Sequence, residues 1–182
     1  MERGEQRYLT YPESLRGELV PAMGCTEPGA LAYGAAKARE LLGTLPDRVE
    51  VEASGNIIKN VKSVIVPNTD GRKGIEAAAA IGVLAGDASR ELEALSQVTQ
   101  EQKEALGLYM ERTSFQVTPA DSDLVLDIRV RAFQGTRQAE ARIVHHHTNL
   151  VYPACAGQVL LDKPLEEHPA EGSVASGLFS VA

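Results

Sequence analysis

The stretch Asp123–His147, DLVLDIRVRAFQGTRQAEARIVHHH, decides the reading of the fold. Leu124, Leu126, Ile128 and Val130 alternate with mostly polar neighbours, the period-two signature of a strand with one buried face. The pattern predicts strands over Asp123–Phe133 and Gln138–His147, joined as a hairpin through Gln134-Gly135. Working outward, a strand is expected over Phe115–Thr118, and a second hairpin from Asn149–Pro153 and Gln158–Leu161. Lys163–Ala182 reads as a loose tail.

Upstream the periodicity changes. Residues 13–20 read as the end of a helix stopped at Pro21. A second helix is expected over Glu27–Leu42, with Thr26 as N-cap, Pro28 tolerated in the first turn and Gly43 as terminator. Val49 and Val51 alternate with Glu50 and Glu52, predicting a strand with a solvated acidic face. A turn at Ser54-Gly55-Asn56 then leads into a second strand, Ile57–Val66. Ile75–Ala85 reads as an apolar helix, and residues 88–112 as a polar one with Thr99 capping. Helices, a strand pair, more helices and a run of strands predict one α+β domain, with Ala/Gly-rich helices packed on a mostly antiparallel sheet.

Composition bounds the partners. The 182 residues carry 25 acidic against 18 basic side chains, a net charge of −7 that repels phosphate backbones and anionic lipid, so neither nucleic acid nor membrane is an expected partner. No apolar run approaches the ~20 residues of a membrane-spanning helix, and MERGEQRY is too polar for a secretory signal, so a cytoplasmic location is expected. Cys25 and Cys155 stand in unrelated contexts and form no disulfide framework.

Three segments are candidates for chemistry. Pro21–Pro28, PAMGCTEP, puts Cys25 immediately before a helix N-terminus, where the dipole and free amides favour thiolate, the reactive form. Glu27 opposes this if its carboxylate points at the sulfur, and Cys25 reads equally as a buried small hydrophobe. Ser54–Asn60, SGNIIKN, gathers a hydroxyl, two amides and a cation: Ser54, Asn56, Lys59 and Asn60 suit a small zwitterionic ligand, while Gly55-Asn56 also suits a plain hairpin turn. Pro67–Gly74 leads into a helix and would offer amides to an anion, without the order of a Walker loop. His145 and His147 on one strand face would bind zinc with a third ligand, or are simply solvated or core histidines.

Taken in order, PAMGCTEP, SGNIIKN, VPNTDGRKGIEAAAAIGVLAGD (Val66–Asp87) and HTNLVY (His147–Tyr152) resemble the motifs of the L-cysteine desulfidase and UPF0597 family, related to the iron-sulfur L-serine dehydratases; the resemblance runs from about Leu19 to Leu161. It implies a β-elimination lyase that converts L-cysteine or L-serine to pyruvate, ammonia and sulfide or water. It further implies a four-iron four-sulfur cluster in the complete enzyme, Cys25 as proton acceptor at the α-carbon, and Ser54, Asn56, Lys59 and Asn60 around a small amino-acid substrate. Members are more than twice as long and hold their cluster cysteines in the later part. The resemblance therefore implies an amino-terminal lyase-like domain over 1–162 and a tail or linker over 163–182. No cluster and no metal are expected on this chain alone, which would be silent until completed by a missing half or partner subunit. Self-association into a homo-oligomer through the surface left bare is compatible with this. The alternative is a non-catalytic ligand-binding or interaction domain of the UPF0597 type.

Overall fold

The computed structural model describes residues 24–155 and the backbone of Gln158–Val159. Helix α1 spans Thr26–Leu42, β1 Arg48–Ala53, α2 Gly55–Val61 and α3 Gly74–Ala85; a 3-10 turn occupies Ala88–Glu93; α4 spans Gln100–Arg112. Strands β2 (Ser114–Pro119), β3 (Asp127–Gln134), β4 (Arg137–Val144), β5 (Leu150–Cys155) and β6 (Gln158–Val159) follow. They form one sheet of order β2-β1-β3-β4-β5-β6, antiparallel throughout except that β1 and β2 run parallel. This is the expected α+β fold. The helix end at 13–20, the Lys163–Ala182 tail and the far end of the last strand lie outside the described residues. No helix among the described residues is long and apolar enough to cross a membrane.

Helix α1 begins one residue earlier than expected. Cys25, with extended backbone at φ −66° and ψ 129°, occupies the N-cap position in place of Thr26. The other end is as read: Gly43 takes the left-handed conformation, φ 77°, and donates its N–H to the Arg39 carbonyl at 2.9 Å.

The strand expected over Ile57–Val66 is corrected. Gly55–Val61 is a helix, started by an extended Ser54, and only Ile65 makes a lone antiparallel bridge, to Lys73. Ile57 and Val61, four apart, are fully buried, while Asn56, Lys59 and Asn60 are exposed. That is helical spacing, and burial on one face overrides the weak strand preference of the β-branched residues. The hairpin turn weighed for Gly55-Asn56 goes with it.

Residues 88–112 are helical in two pieces. The 3-10 turn, capped by the Asp87 carboxylate accepting from the Ser89 N–H, is interrupted by Glu91 at φ 49°, and α4 starts only after Thr99. There the Thr99 hydroxyl accepts from the Gln102 N–H while the Gln102 side chain accepts from the Thr99 N–H, a reciprocal capping box. Thr99→Ala is expected to destabilise the fold by about 1 kcal/mol, read as a lower urea midpoint at unchanged slope.

The β3–β4 hairpin turns through Gly135-Thr136, with Gln134 opposite Arg137 and Gly135 at φ 57°. The helix-facing side of the sheet is Val49, Val51, Ile128, Val130, Ala139, Ala141 and Ile143, all buried. Against it lies α1, whose Gly34 lets the helix settle onto Val130 and Ile143: a Cβ there would sit 3.4 Å from both side chains. Beside α1, over the β1–β2 side of the sheet, is α3, with Ile75, Ala77–Ala80, Ile81 and Val83 all buried. The two helices touch backbone to backbone at Gly82, where a Cβ would fall 2.5 Å from the Ala32 carbonyl oxygen.

On the opposite side Glu50 and Glu52 are not the freely solvated face expected of them. Register sets them beside Arg131 and Arg129, and Arg131 pairs with both Glu52 and Glu140 at 2.8 Å. Arg48 stacks over the Phe133 ring at 3.8 Å. At the end of β3, Asp127 is 2% exposed and receives two hydrogen bonds from Arg142, at 2.7 and 3.0 Å.

Candidate functional site

Where α1 and α2 begin, four chain segments enclose a pocket of about 410 Å³. Glu27 comes from the first turn of α1, Asn56 and Ile57 from α2, Asp123–Leu126 from the segment entering β3, and His145–His147 from the β4–β5 loop. The strand expected from Asp123 starts only at Asp127, because the preceding residues are drawn off the sheet. The Ser54 hydroxyl donates to the Val125 carbonyl at 2.8 Å and the Ser54 N–H to the Asp127 carbonyl at 2.8 Å. Val125 is left 72% exposed beside the pocket.

The histidines are likewise outside the strand expected to carry them. Strand β4 ends at Val144, and His145 adopts φ 64° with its N–H bonded to the Leu126 carbonyl at 3.1 Å. The loop closes through the Asn149 N–H to the His146 carbonyl and the Asn149 side-chain amide to the Val144 carbonyl. His145 and His147 therefore do not share a strand face. Among the described residues no group of three or more His, Cys, Asp or Glu side chains is placed to hold a metal ion.

Beside the pocket the Cys25 thiol donates to Glu27 Oε2 at 2.8 Å, and the Thr26 hydroxyl approaches the same oxygen at 3.4 Å. Cys25 is exposed, not the buried small hydrophobe also considered for it; the limited desolvation of its sulfur, then the hydrogen bond to Glu27, push the thiol above its ordinary value. The helix end favours an acidic thiol only if Glu27 turns away; here burial and the Glu27 carboxylate two residues on, which points at the sulfur, outweigh it. The Glu27 carboxyl is held below its usual range by the thiol's hydrogen bond, against some burial, with help from His147 and the Asn60 side chain. Burial lowers His147, Glu27 partly offsetting it and His146 adding to it.

The structure thus brings together Cys25, Glu27, Asn56, Asn60 and His147. Ser54 is buried and commits its hydroxyl to the Val125 carbonyl, and Lys59 is exposed on α2 and does not line the pocket. The Pro67–Gly74 loop spends its polar groups on itself and its neighbours: the Asn68 amide donates to the Leu95 carbonyl and the Thr69 hydroxyl to the Val66 carbonyl. Cys155, half-buried on β5, is paired with Ala139 in the sheet. The contributions of Asp123 and His146 went unread, since neither stands in a pattern that separates a pocket wall from a polar loop.

Comparison with known proteins gives a clear relationship. Over 160 residues the chain is 49% identical to a UPF0597 protein of Desulfitobacterium hafniense, a match covering 88% of this chain and 37% of the relative. The chain is related to the UPF0597 proteins. It is also 40% identical over 174 residues to a UPF0597 protein of Treponema denticola and 43% identical over 175 residues to one of Lachnoclostridium phytofermentans. These matches cover 96% of this chain, and 40% and 42% of those relatives. It spans about two-fifths of the length of the UPF0597 relatives it matches. No family model and no solved structure matches the chain.

Proposed function

We propose that this chain is the amino-terminal part of a cytoplasmic β-elimination lyase acting on a small amino acid, of the L-cysteine desulfidase or L-serine dehydratase type. The observation that carries the reading is the Cys25–Glu27 pair beside a pocket also lined by Asn56 and His147, on the PAMGCTEP segment that resembles the desulfidase motif. A zwitterionic substrate suits this lining. Glu27 and Asp123 attract an ammonium group, and the Asn56 amide donates to a carboxylate. In the reaction a base takes the Cα proton, the C–H electron pair forms the Cα=Cβ bond, and the β-substituent leaves as sulfide or, protonated, as water. The aminoacrylate then tautomerises and is hydrolysed to pyruvate and ammonia. Cys25 is the base in this reading, and its thiol must ionise first.

A four-iron four-sulfur cluster does not fit the residues at hand. It takes three or four thiolates, and the described cysteines are Cys25 beside the pocket and Cys155 across the sheet, with no clustered ligand set among the described residues. If the complete enzyme holds a cluster, its ligands come from sequence beyond this domain, and the roles assigned here concern this chain's own residues only. The remainder of the enzyme, as a continuation or a partner subunit, is part of the proposal.

The test is anaerobic assay of sulfide and pyruvate from L-cysteine and L-serine, with the chain produced together with the remaining part that its longer relatives possess. Turnover is expected from the complete assembly and none from the isolated chain. Cys25→Ala is expected to reduce turnover by about 10²–10⁴-fold, the usual weight of a general base. Activity in the isolated chain would overturn the need for a second part, and unchanged turnover in Cys25→Ala the role of the thiol. No product from any assembly would leave the binding-domain alternative as the better reading.

A further inference from the structure

We propose that Glu27 is the positioning residue of Cys25: it holds the thiol protonated against its own carboxylate, so that the sulfur ionises more readily once the Glu27 charge is neutralised. The inference rests on the lyase reading for its purpose, and on geometry for its substance. The thiol sits at hydrogen-bond distance from Oε2 of Glu27, 2.8 Å, and must carry its proton to donate there. Asn60 of α2 and His147 of the β4–β5 loop, on two other elements, add smaller effects that favour the ionised Glu27 carboxylate. That carboxylate therefore stays ionised, and a thiolate formed beside it would put two negative charges within contact distance.

The other charged groups around the pocket are consistent with this. Asp123 contributes a further negative charge, His147 is kept towards its neutral form by burial, His146 is exposed to solvent, and His145 also lines the pocket. No fixed cation lines the pocket among the described residues, and the backbone N–H groups of Thr26 and Glu27, which favour a thiolate, do not outweigh burial and the Glu27 carboxylate. The missing positive charge is one that an amino-acid substrate brings. An ammonium group entering beside Glu27 would cancel the repulsion and allow the thiol to ionise next to the carbon it deprotonates. The base is thereby kept quiet in the empty pocket, where a standing thiolate would invite oxidation or alkylation.

The test needs no turnover. Alkylation of Cys25 by iodoacetamide is followed between pH 6 and 11 by mass spectrometry of the peptide that contains it, in the unmodified chain, Glu27→Gln and Glu27→Asp. In Glu27→Gln the midpoint is expected to fall by about one pH unit, because the neutral amide no longer repels the thiolate. The rate at pH 7 should rise by roughly threefold: ten times more thiolate, offset by the lower nucleophilicity of a more acidic thiol. Glu27→Asp, which restores the charge, should return the midpoint towards that of the unmodified chain. Cys155 alkylation in the same samples reports whether the fold is intact. A midpoint that stays put or rises in Glu27→Gln, with Cys155 unchanged, overturns the inference. A downward shift sustains it even if no assembly of the enzyme yields pyruvate, so the coupling and the lyase reading fail separately.

Discussion

Gly82→Ala is expected to lower the melting temperature by roughly 4–10 °C, although alanine is the better helix former. In an exposed helix the exchange would favour folding by about 1 kcal/mol. Here the new Cβ would lie 2.5 Å from the Ala32 carbonyl oxygen, 2.8 Å from Ala32 Cα and 2.9 Å from Ala35 Cβ. The first two are backbone atoms that no rotamer change can move. The contact is relieved only by separating α1 from α3, which loosens every alanine between them. Overpacking of this kind costs roughly 1–3 kcal/mol and more where backbone must shift, and 1 kcal/mol corresponds to about 2–4 °C in a domain of this size. Gly55→Ala is the control: a Cβ there meets nothing within 4 Å, so its melting temperature should stay close to that of the unmodified protein. A Gly82→Ala protein as stable as the control would mean that the two helices are not in backbone contact.

Arg142→Met should destabilise the fold by about 3 kcal/mol at neutral pH, the order found when one partner of a buried ion pair is removed. The effect comes from what is left behind. Asp127 is buried and accepts both hydrogen bonds that the guanidinium donates, so methionine would strand a carboxylate without its charge partner. The pH dependence identifies the cause. Burial alone would raise the Asp127 carboxyl, but hydrogen bonds from Arg142 and Ser122 more than compensate and hold it below its usual range. A depressed carboxyl contributes stability that is present above its unfolded value, near 3.9, and is lost as the pH falls through the lower folded value. In Arg142→Met only Ser122 and Arg129 remain to oppose burial, the carboxyl rises, and protonation relieves the folded state instead. Urea denaturation at pH 7 and pH 4 should therefore show the gap between variant and parent narrowing at the lower pH. A gap independent of pH would mean that the loss is one of packing, and Asp127→Leu combined with Arg142→Met should then fail to restore stability.

The parts of the fold legible in the sequence are those in which one periodicity rules. The β3–β4 hairpin, α1, α3 and the Thr99 cap follow from alternation, from alanine content and from one hydroxyl in the right place. Ile57–Val66 was not legible, because β-branched residues in a short segment suit either structure, and what decides for α2 is the burial of Ile57 and Val61 on one side. The entry to β3 misleads for a related reason. Leu124 keeps the alternation going, but the Ser54 hydroxyl takes the Val125 carbonyl and ends the ladder. Of the pocket, the sequence singles out some of the segments that meet there but not how they meet. That Cys25 would face a carboxylate rather than a bare helix end depends on the side-chain torsion of Glu27, which no spacing encodes. The gathering of Asn56, Asn60 and His147 around it depends on a helix that reads as a strand.

The strand β1 has a history that its place in the finished sheet conceals. It leaves the ribosome before either of its ladder partners, Ser114–Pro119 on one side and Ile128–Phe133 on the other. At ~5–20 residues per second, more than about 60 further residues mean that β1 waits roughly 3–12 s or longer before any partner exists. Throughout that wait its valines and both unpaired edges are open to other chains. Glu50 and Glu52, which in the sheet meet arginines, serve during synthesis as like charges that discourage one nascent chain from pairing with the next.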